Sequence, residues 1–156
     1  MIARELMTVE VIKIDASATI GEAVKLLREH TISGLPVVDK EGHLIGVITG
    51  GDVLRAIQQR AQKIYHSLFG PTQVVIDESV WREDSHRLLV LPVEKMMSKG
   101  AVTVQLNTPV GEIADLMLRQ NVRRVFVIHQ DKLMGIITRN DIVRWLVRHV
   151  GDVKIK

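Results

Sequence analysis

One segment of this chain is written twice. Leu35-Pro36-Val37-Val38-Asp39 and Gly46-Val47-Ile48-Thr49-Gly50-Gly51-Asp52 reappear as Val125-Phe126-Val127-Ile128-His129 and Gly135-Ile136-Ile137-Thr138-Arg139-Asn140-Asp141. Upstream, Ile14 matches Val104 and Gly21-Glu22 matches Gly111-Glu112, at an offset of 90 residues that becomes 89 after the short turn. A one-residue deletion in a surface turn accounts for the slip. A unit of roughly fifty residues rarely buries a sufficient core alone, so the two copies are expected to pack together with pseudo-twofold symmetry. The repeated Gly-x-x-Thr-x-x-Asp signature is then placed to face the clefts between them.

Each copy reads strand, helix, strand, turn, strand, helix, an α/β pattern. In the first, a β-branched run at Val11 to Ile14 precedes Ile20, Ala23, Val24 and Leu27, which share one helical face. Ser33-Gly34 is read as the break. Leu35 to Val38 is a short, continuous apolar run of the kind a fully buried strand shows. Lys40-Glu41-Gly42 supplies a turn and Leu44 to Ile48 the return strand. The second copy predicts strands at Val102 to Val104, Arg124 to Ile128 and Leu133 to Ile137, with a helix from Pro109 to about Gln120, proline suiting the first helical position. The domain plan is repeat 1 over 1–57, a helical extension and insert over 58–93, repeat 2 over 94–150 and a tail at 151–156. The last helix of the first copy is read as long and running on into the extension, since Val53, Leu54, Ile57, Ala61, Ile64 and Leu68 keep one face apolar until Gly70-Pro71. Thr72 to Pro92 belongs to neither copy and is read as a further helix plus a connector. Val93-Glu94-Lys95-Met96-Met97 then echoes Arg4-Glu5-Leu6-Met7.

Composition narrows the function. Apolar residues make up 46% of the 156, enough for a core, but aromatics only 3%, which argues against base-stacking platforms. Cysteine is absent, which excludes thiolate catalysis, disulfides and Cys-ligated zinc and suits a reducing, cytoplasmic setting. The start Met1-Ile2-Ala3-Arg4-Glu5 lacks a secretory pattern, and no apolar run nears the roughly 20 residues that span a bilayer. A net charge of +3 suits phosphate-bearing ligands but is too small and dispersed to argue for DNA, even with Lys154-Ile155-Lys156 at the end. The six histidines have no metal-ligand spacing, and no metal is expected.

The signature carries the chemistry. It lies where a strand hands over to a helix, whose first N–H groups are unpaired and suit a phosphate. A threonine hydroxyl there adds a hydrogen bond, and an ionised aspartate one turn on can accept both hydroxyls of a ribose. The glycine keeps the backbone approachable. Thr-x-x-Asp is also close to a helix capping box, in which the acid satisfies backbone N–H groups, so a single occurrence would be ambiguous.

The surrounding residues decide the reading. Met7-Thr8 and Met97-Ser98, Thr-Ile-Gly-Glu-Ala at 19–23, Ile-Ser-Gly-Leu-Pro-Val-Val-Asp at 32–39 and both Gly-x-x-Thr-x-x-Asp motifs resemble a tandem pair of CBS (cystathionine β-synthase) domains, a Bateman module. The resemblance covers about residues 1–57 and 94–150. It implies an α/β fold of two pseudo-symmetric β-α-β-β-α repeats packed through their small sheets. It also implies a regulatory, non-enzymatic sensor of AMP, ADP or ATP, or of S-adenosylmethionine or NAD, often a homodimer.

The family pattern implies two clefts. Thr49 and Asp52 would serve one, with Ala101, Val102, Arg123 and Arg124 from the second repeat. Thr138 and Asp141 would serve the other, with Met7, Ile12, Ser33 and Gly34 from the first. By charge, Arg123 and Arg124 make the Thr49 and Asp52 cleft the better polyphosphate holder, and Arg139 partly redresses the other. Gly50-Gly51 departs from the usual polar pair. Arg55 and Arg144 read as surface or ion-pair residues, and the methionines as core filler.

Other functions leave other marks. A nucleotide hydrolase built on Asp52 or Asp141 needs a metal or base near the phosphates, and no acidic cluster stands there. A nucleic-acid regulator would rest on the pI of about 9.4. A ligand-free dimeric adaptor with empty clefts is the main alternative to a sensor that reports to a separate effector protein.

Overall fold

A computed structural model describes residues 1–68 and 78–150. The Gly70-Pro71 helix stop and the Lys154 to Lys156 tail lie outside the described residues. In chain order the elements are α1 (Ala3–Leu6), β1 (Ile14–Asp15), α2 (Ile20–Glu29), β2 (Gly34–Val38), β3 (Leu44–Thr49), α3 (Gly50–Leu68), α4 (Glu78–Leu89), a 3-10 turn (Val93–Lys95), β4 (Thr103–Gln105), α5 (Val110–Arg119), β5 (Arg124–His129), β6 (Lys132–Thr138) and α6 (Arg139–Val150). Two three-stranded sheets form, ordered β1-β2-β3 and β4-β5-β6. In each, the first two strands are parallel and joined through a helix, with Ile14 opposite Val37 and Val104 opposite Val127. Parallel neighbours require such a crossover. All five residues of β2 are buried, which is why its sequence runs apolar without alternation.

The chain separates into two compact units that cross the repeat boundaries: Met1–Ile12, Lys40–Leu44 and Gly100–Lys156 in one, Lys13–Asp39 and Ile45–Lys99 in the other. The first dozen residues thus belong with the second repeat's sheet, and the segment before β4 belongs with the first repeat's. In the unit holding β4, β5 and β6, Ala3 is fully buried in a core of Val104, Ile113, Met117, Val125, Val127 and Ile137. The Ala3 and Arg4 N–H groups donate to the Thr108 and Leu106 carbonyls at 2.9 and 3.0 Å. Thr8 and Ile136 exchange backbone hydrogen bonds of 2.9 and 3.0 Å. The other unit repeats the arrangement, with Val47 and Ser98 exchanging two bonds of 2.9 Å. The sequence echo between 4–7 and 94–97 records this equivalence.

The insert has a structural role in its unit. Leu88 of α4 is buried, the Ile20 N–H donates to the Leu91 carbonyl at 2.8 Å, and the Val93 N–H to the Ala18 carbonyl at 2.7 Å. Helix α4 lies within the 72–92 stretch read as a helix plus a connector, and the 3-10 turn at Val93–Lys95 follows it. Its exposed face carries a Glu83–Arg87 ion pair of 2.6 Å.

Two local readings change. Helix α2 does not end at Ser33-Gly34. It ends in a Schellman motif at Thr31 (φ 52°), where the Ile32 N–H reaches the Leu27 carbonyl at 3.0 Å, and Gly34 already lies in β2. Helix α5 ends the same way at Asn121 (φ 50°), with the Val122 N–H on the Met117 carbonyl at 3.0 Å. Pro109 is the N-cap of α5 rather than its first helical residue, with extended backbone (φ -65°, ψ 146°). The shorter second turn is a two-residue hairpin in which Gln130 (φ 50°) and Asp131 (φ 62°) both take left-handed backbone, which explains the slipped offset.

Candidate functional site

Both signatures sit at the junctions the spacing predicts, β3 into α3 and β6 into α6. Each also forms the capping box. Asp52 Oδ2 accepts from the Thr49 N–H at 2.8 Å and from Thr49 Oγ1 at 2.6 Å, while Thr49 Oγ1 accepts from the Asp52 N–H at 3.3 Å. Asp141 Oδ2 accepts from the Thr138 N–H at 2.7 Å and Thr138 Oγ1 at 2.6 Å, with the Asp141 N–H on Thr138 Oγ1 at 3.3 Å. Gly50-Gly51 does not prevent the first helix from starting.

The second carboxylate oxygens differ. Asp52 Oδ1 accepts from Ser98 Oγ at 2.8 Å and from Arg55 Nη2, and Asp52 is only 5% exposed. Burial pushes the Asp52 carboxyl up, but hydrogen bonds from Thr49 and Ser98 and the charge of Arg55 outweigh it and hold the group below the ordinary 3.8. Asp141 is less deeply buried, and its Oδ1 has no donor among the described residues.

The signature glycines serve the lead-in segments. A Cβ on Gly135 would stand 2.6 Å from Met7 Sδ and 2.8 Å from Met7 Cγ. A Cβ on Gly46 would stand 2.7 Å from Met97 Sδ and 2.8 Å from the Ser98 carbonyl oxygen. The backbone is approachable, as expected, and what approaches it is a methionine of the preceding segment.

The other candidates divide between the units. Ser33 and Gly34 lie in the unit of Thr49 and Asp52. Met7, Ile12, Ala101, Val102, Arg123, Arg124 and Arg139 lie in the unit of Thr138 and Asp141. The antiparallel register of β5 and β6 sets Arg124 directly opposite Thr138, and the Arg123 carbonyl accepts from the Arg139 N–H at 3.1 Å. Burial, with the neighbouring charge of Arg123, lowers the pKa of the Arg124 guanidinium. The Val102 carbonyl accepts from the Phe126 N–H at 2.9 Å. Arg139 is engaged with backbone: its Nε donates to the Val122 carbonyl at 3.0 Å and its Nη2 to the Met117 carbonyl at 3.5 Å, at the C-terminal end of α5. The Met97-Ser98 pair belongs to the family pattern, which assigns Ser98 no site role. The bond from Ser98 to a residue 46 positions away left no local signal.

The family model of the CBS domain matches residues 3–59 and 93–148. The chain belongs to the CBS domain family. As a CBS pair it is 30% identical over 155 residues to a CBS domain-containing protein of Dictyostelium discoideum, covering 98% of this chain and 96% of that one. The CBS domain of a CBS domain containing membrane protein from Sphaerobacter thermophilus superimposes with a TM-score of 0.69 at 27% identity, covering 92% of this chain and 86% of that one. The structure of CBSX2 in complex with AMP superimposes with a TM-score of 0.70 at 25% identity, covering 95% and 97%. Other relatives are longer. The chain spans 31% of one Methanocaldococcus jannaschii protein and 23% of that organism's inosine-5'-monophosphate dehydrogenase. Among the described residues no helix is long and apolar enough to cross a membrane.

Proposed function

We propose that this CBS pair is a cytoplasmic regulatory module without catalytic activity. It binds an adenosyl nucleotide of the AMP, ADP or ATP class and relays occupancy to a separate protein, working as a homodimer. The reading is carried by the second signature. Thr138 and Asp141 start a helix of 12 residues, Asp141 keeps one carboxylate oxygen without a protein donor among the described residues, and Arg124 stands across the strand from Thr138. A vicinal diol fits that oxygen, and a phosphate fits the helix start and the arginine. The AMP complex of CBSX2 supports the ligand class. Val143, Leu146 and Val147, exposed on one face of α6, support the homodimer.

Thermal unfolding in AMP, ADP, ATP, S-adenosylmethionine and NAD tests the reading. A ligand at one hundred times its dissociation constant stabilises by about 2.7 kcal/mol. A rise in Tm with an adenosyl nucleotide is expected. No rise with any of the five supports instead the ligand-free adaptor.

A further inference from the structure

The two Thr-x-x-Asp motifs have the same sequence form and the same capping geometry, yet their free valences differ. A carboxylate offers about four lone-pair sites. On Asp52 four donors occupy them: the Thr49 N–H, Thr49 Oγ1, Ser98 Oγ and Arg55 Nη2. On Asp141 two donors, both from Thr138, occupy one oxygen. The residues equivalent to Ser98 and Arg55 are Thr8 and Arg144, which carry a hydroxyl and a guanidinium of the same kinds. Neither donates to Asp141 among the described residues, although Thr8 pairs with Ile136 through backbone just as Ser98 pairs with Val47.

We infer that the motifs have separate roles: Thr138 and Asp141 take the nucleotide, and Asp52 is a buried anchor that fastens the Val93-to-Lys99 segment through Ser98 and is closed to the ligand. A ribose could reach Asp52 only by displacing Ser98 and Arg55 from a carboxylate that is 5% exposed. Displacing Ser98 would disturb the segment it belongs to. That segment is held by the two Ser98–Val47 backbone bonds and by Met97 over Gly46. Ser98 and Arg55 are therefore the residues that decide which of the two signatures is available. The nucleotide half of this inference rests on the function proposed above. The anchor half does not.

The experiment measures thermal unfolding of the full chain with and without AMP. It compares wild type with Ser98→Ala, Ser98→Thr, Asp52→Asn and Asp141→Asn. Asp141→Asn keeps a capping oxygen for Thr138 and is expected to retain the ligand-free Tm while weakening AMP by about tenfold or more. Ser98→Ala and Asp52→Asn are expected to lower the ligand-free Tm, and Ser98→Ala to bind AMP with wild-type affinity. Ser98→Thr, which keeps the hydroxyl, restores the Tm. Loss of AMP response in Asp52→Asn with retention in Asp141→Asn would overturn the assignment. An unchanged ligand-free Tm in Ser98→Ala would overturn the anchor. If wild type responds to none of AMP, ADP and ATP, tested in parallel, the proposed function fails, and the anchor is still judged by the ligand-free Tm values.

Discussion

Met7 lies over Gly135 so closely that a Cβ at the glycine would stand 2.6 Å from the methionine sulfur, and Met97 repeats the contact over Gly46. Each pair fastens a lead-in segment to the sheet that its own unit contains. The glycine of the signature is thus a packing requirement of β3 and β6.

Adding a methyl group at either position should therefore destabilise. Gly135→Ala meets Met7 at its Sδ, Cγ and Cβ, whereas Gly46→Ala also meets the backbone carbonyl of Ser98 at 2.8 Å. Overpacking of this kind costs about 1–3 kcal/mol. Urea unfolding should place Gly46→Ala at the upper end and Gly135→Ala lower. Equal stability of both variants to wild type would contradict the contact.

Ser98→Ala removes a hydroxyl donor to a buried, ionised carboxylate. Hydrogen bonds to charged groups contribute about 1.5–3 kcal/mol, and the carboxylate keeps its other three donors, so the lower half of that range is expected. Thr8→Ala, at the equivalent place, should cost less, because Thr8 has no bond to Asp141 among the described residues. Chemical denaturation of the two variants side by side makes the comparison.

Acid should act through Asp52. Its folded pKa lies below the ordinary 3.8, so between the two values the unfolded chain binds the extra proton. Stability then rises with pH through that window, is fully present above the unfolded value, and is lost as pH falls through the folded one. Urea midpoints measured in steps below pH 5 should show this slope in wild type, and Asp52→Asn should flatten it.

Thr31 takes left-handed backbone at φ 52°, where a β-branched side chain is strained. Its counterpart Asn121 holds the same position at φ 50° with a residue that tolerates it. Thr31→Asn should stabilise by about 1 kcal/mol, the scale of the left-handed penalty. That corresponds to a Tm rise of about 2–4 °C in a chain of this size. A fall in Tm would mean that the threonine side chain makes a compensating contact.

The duplication, the strand-helix-strand-strand-helix order of each copy and the seats of Thr49, Asp52, Thr138 and Asp141 were all legible in the residues. They depend on local periodicity and on short-range hydrogen bonding, which a sequence carries directly. The α2 terminus was not, because Thr31 is an unusual residue for left-handed backbone while Gly34, the usual one, was needed in a strand. The tertiary structure alone decided three things: that residues 1–12 belong with β4, β5 and β6, that Arg124 stands opposite Thr138, and that Asp52 is saturated while Asp141 is not. Thr8 and Ser98, like Arg144 and Arg55, offer the same donor groups at equivalent positions. Whether a hydroxyl and a guanidinium reach a carboxylate depends on a few ångströms of placement, and residue identity does not encode that distance.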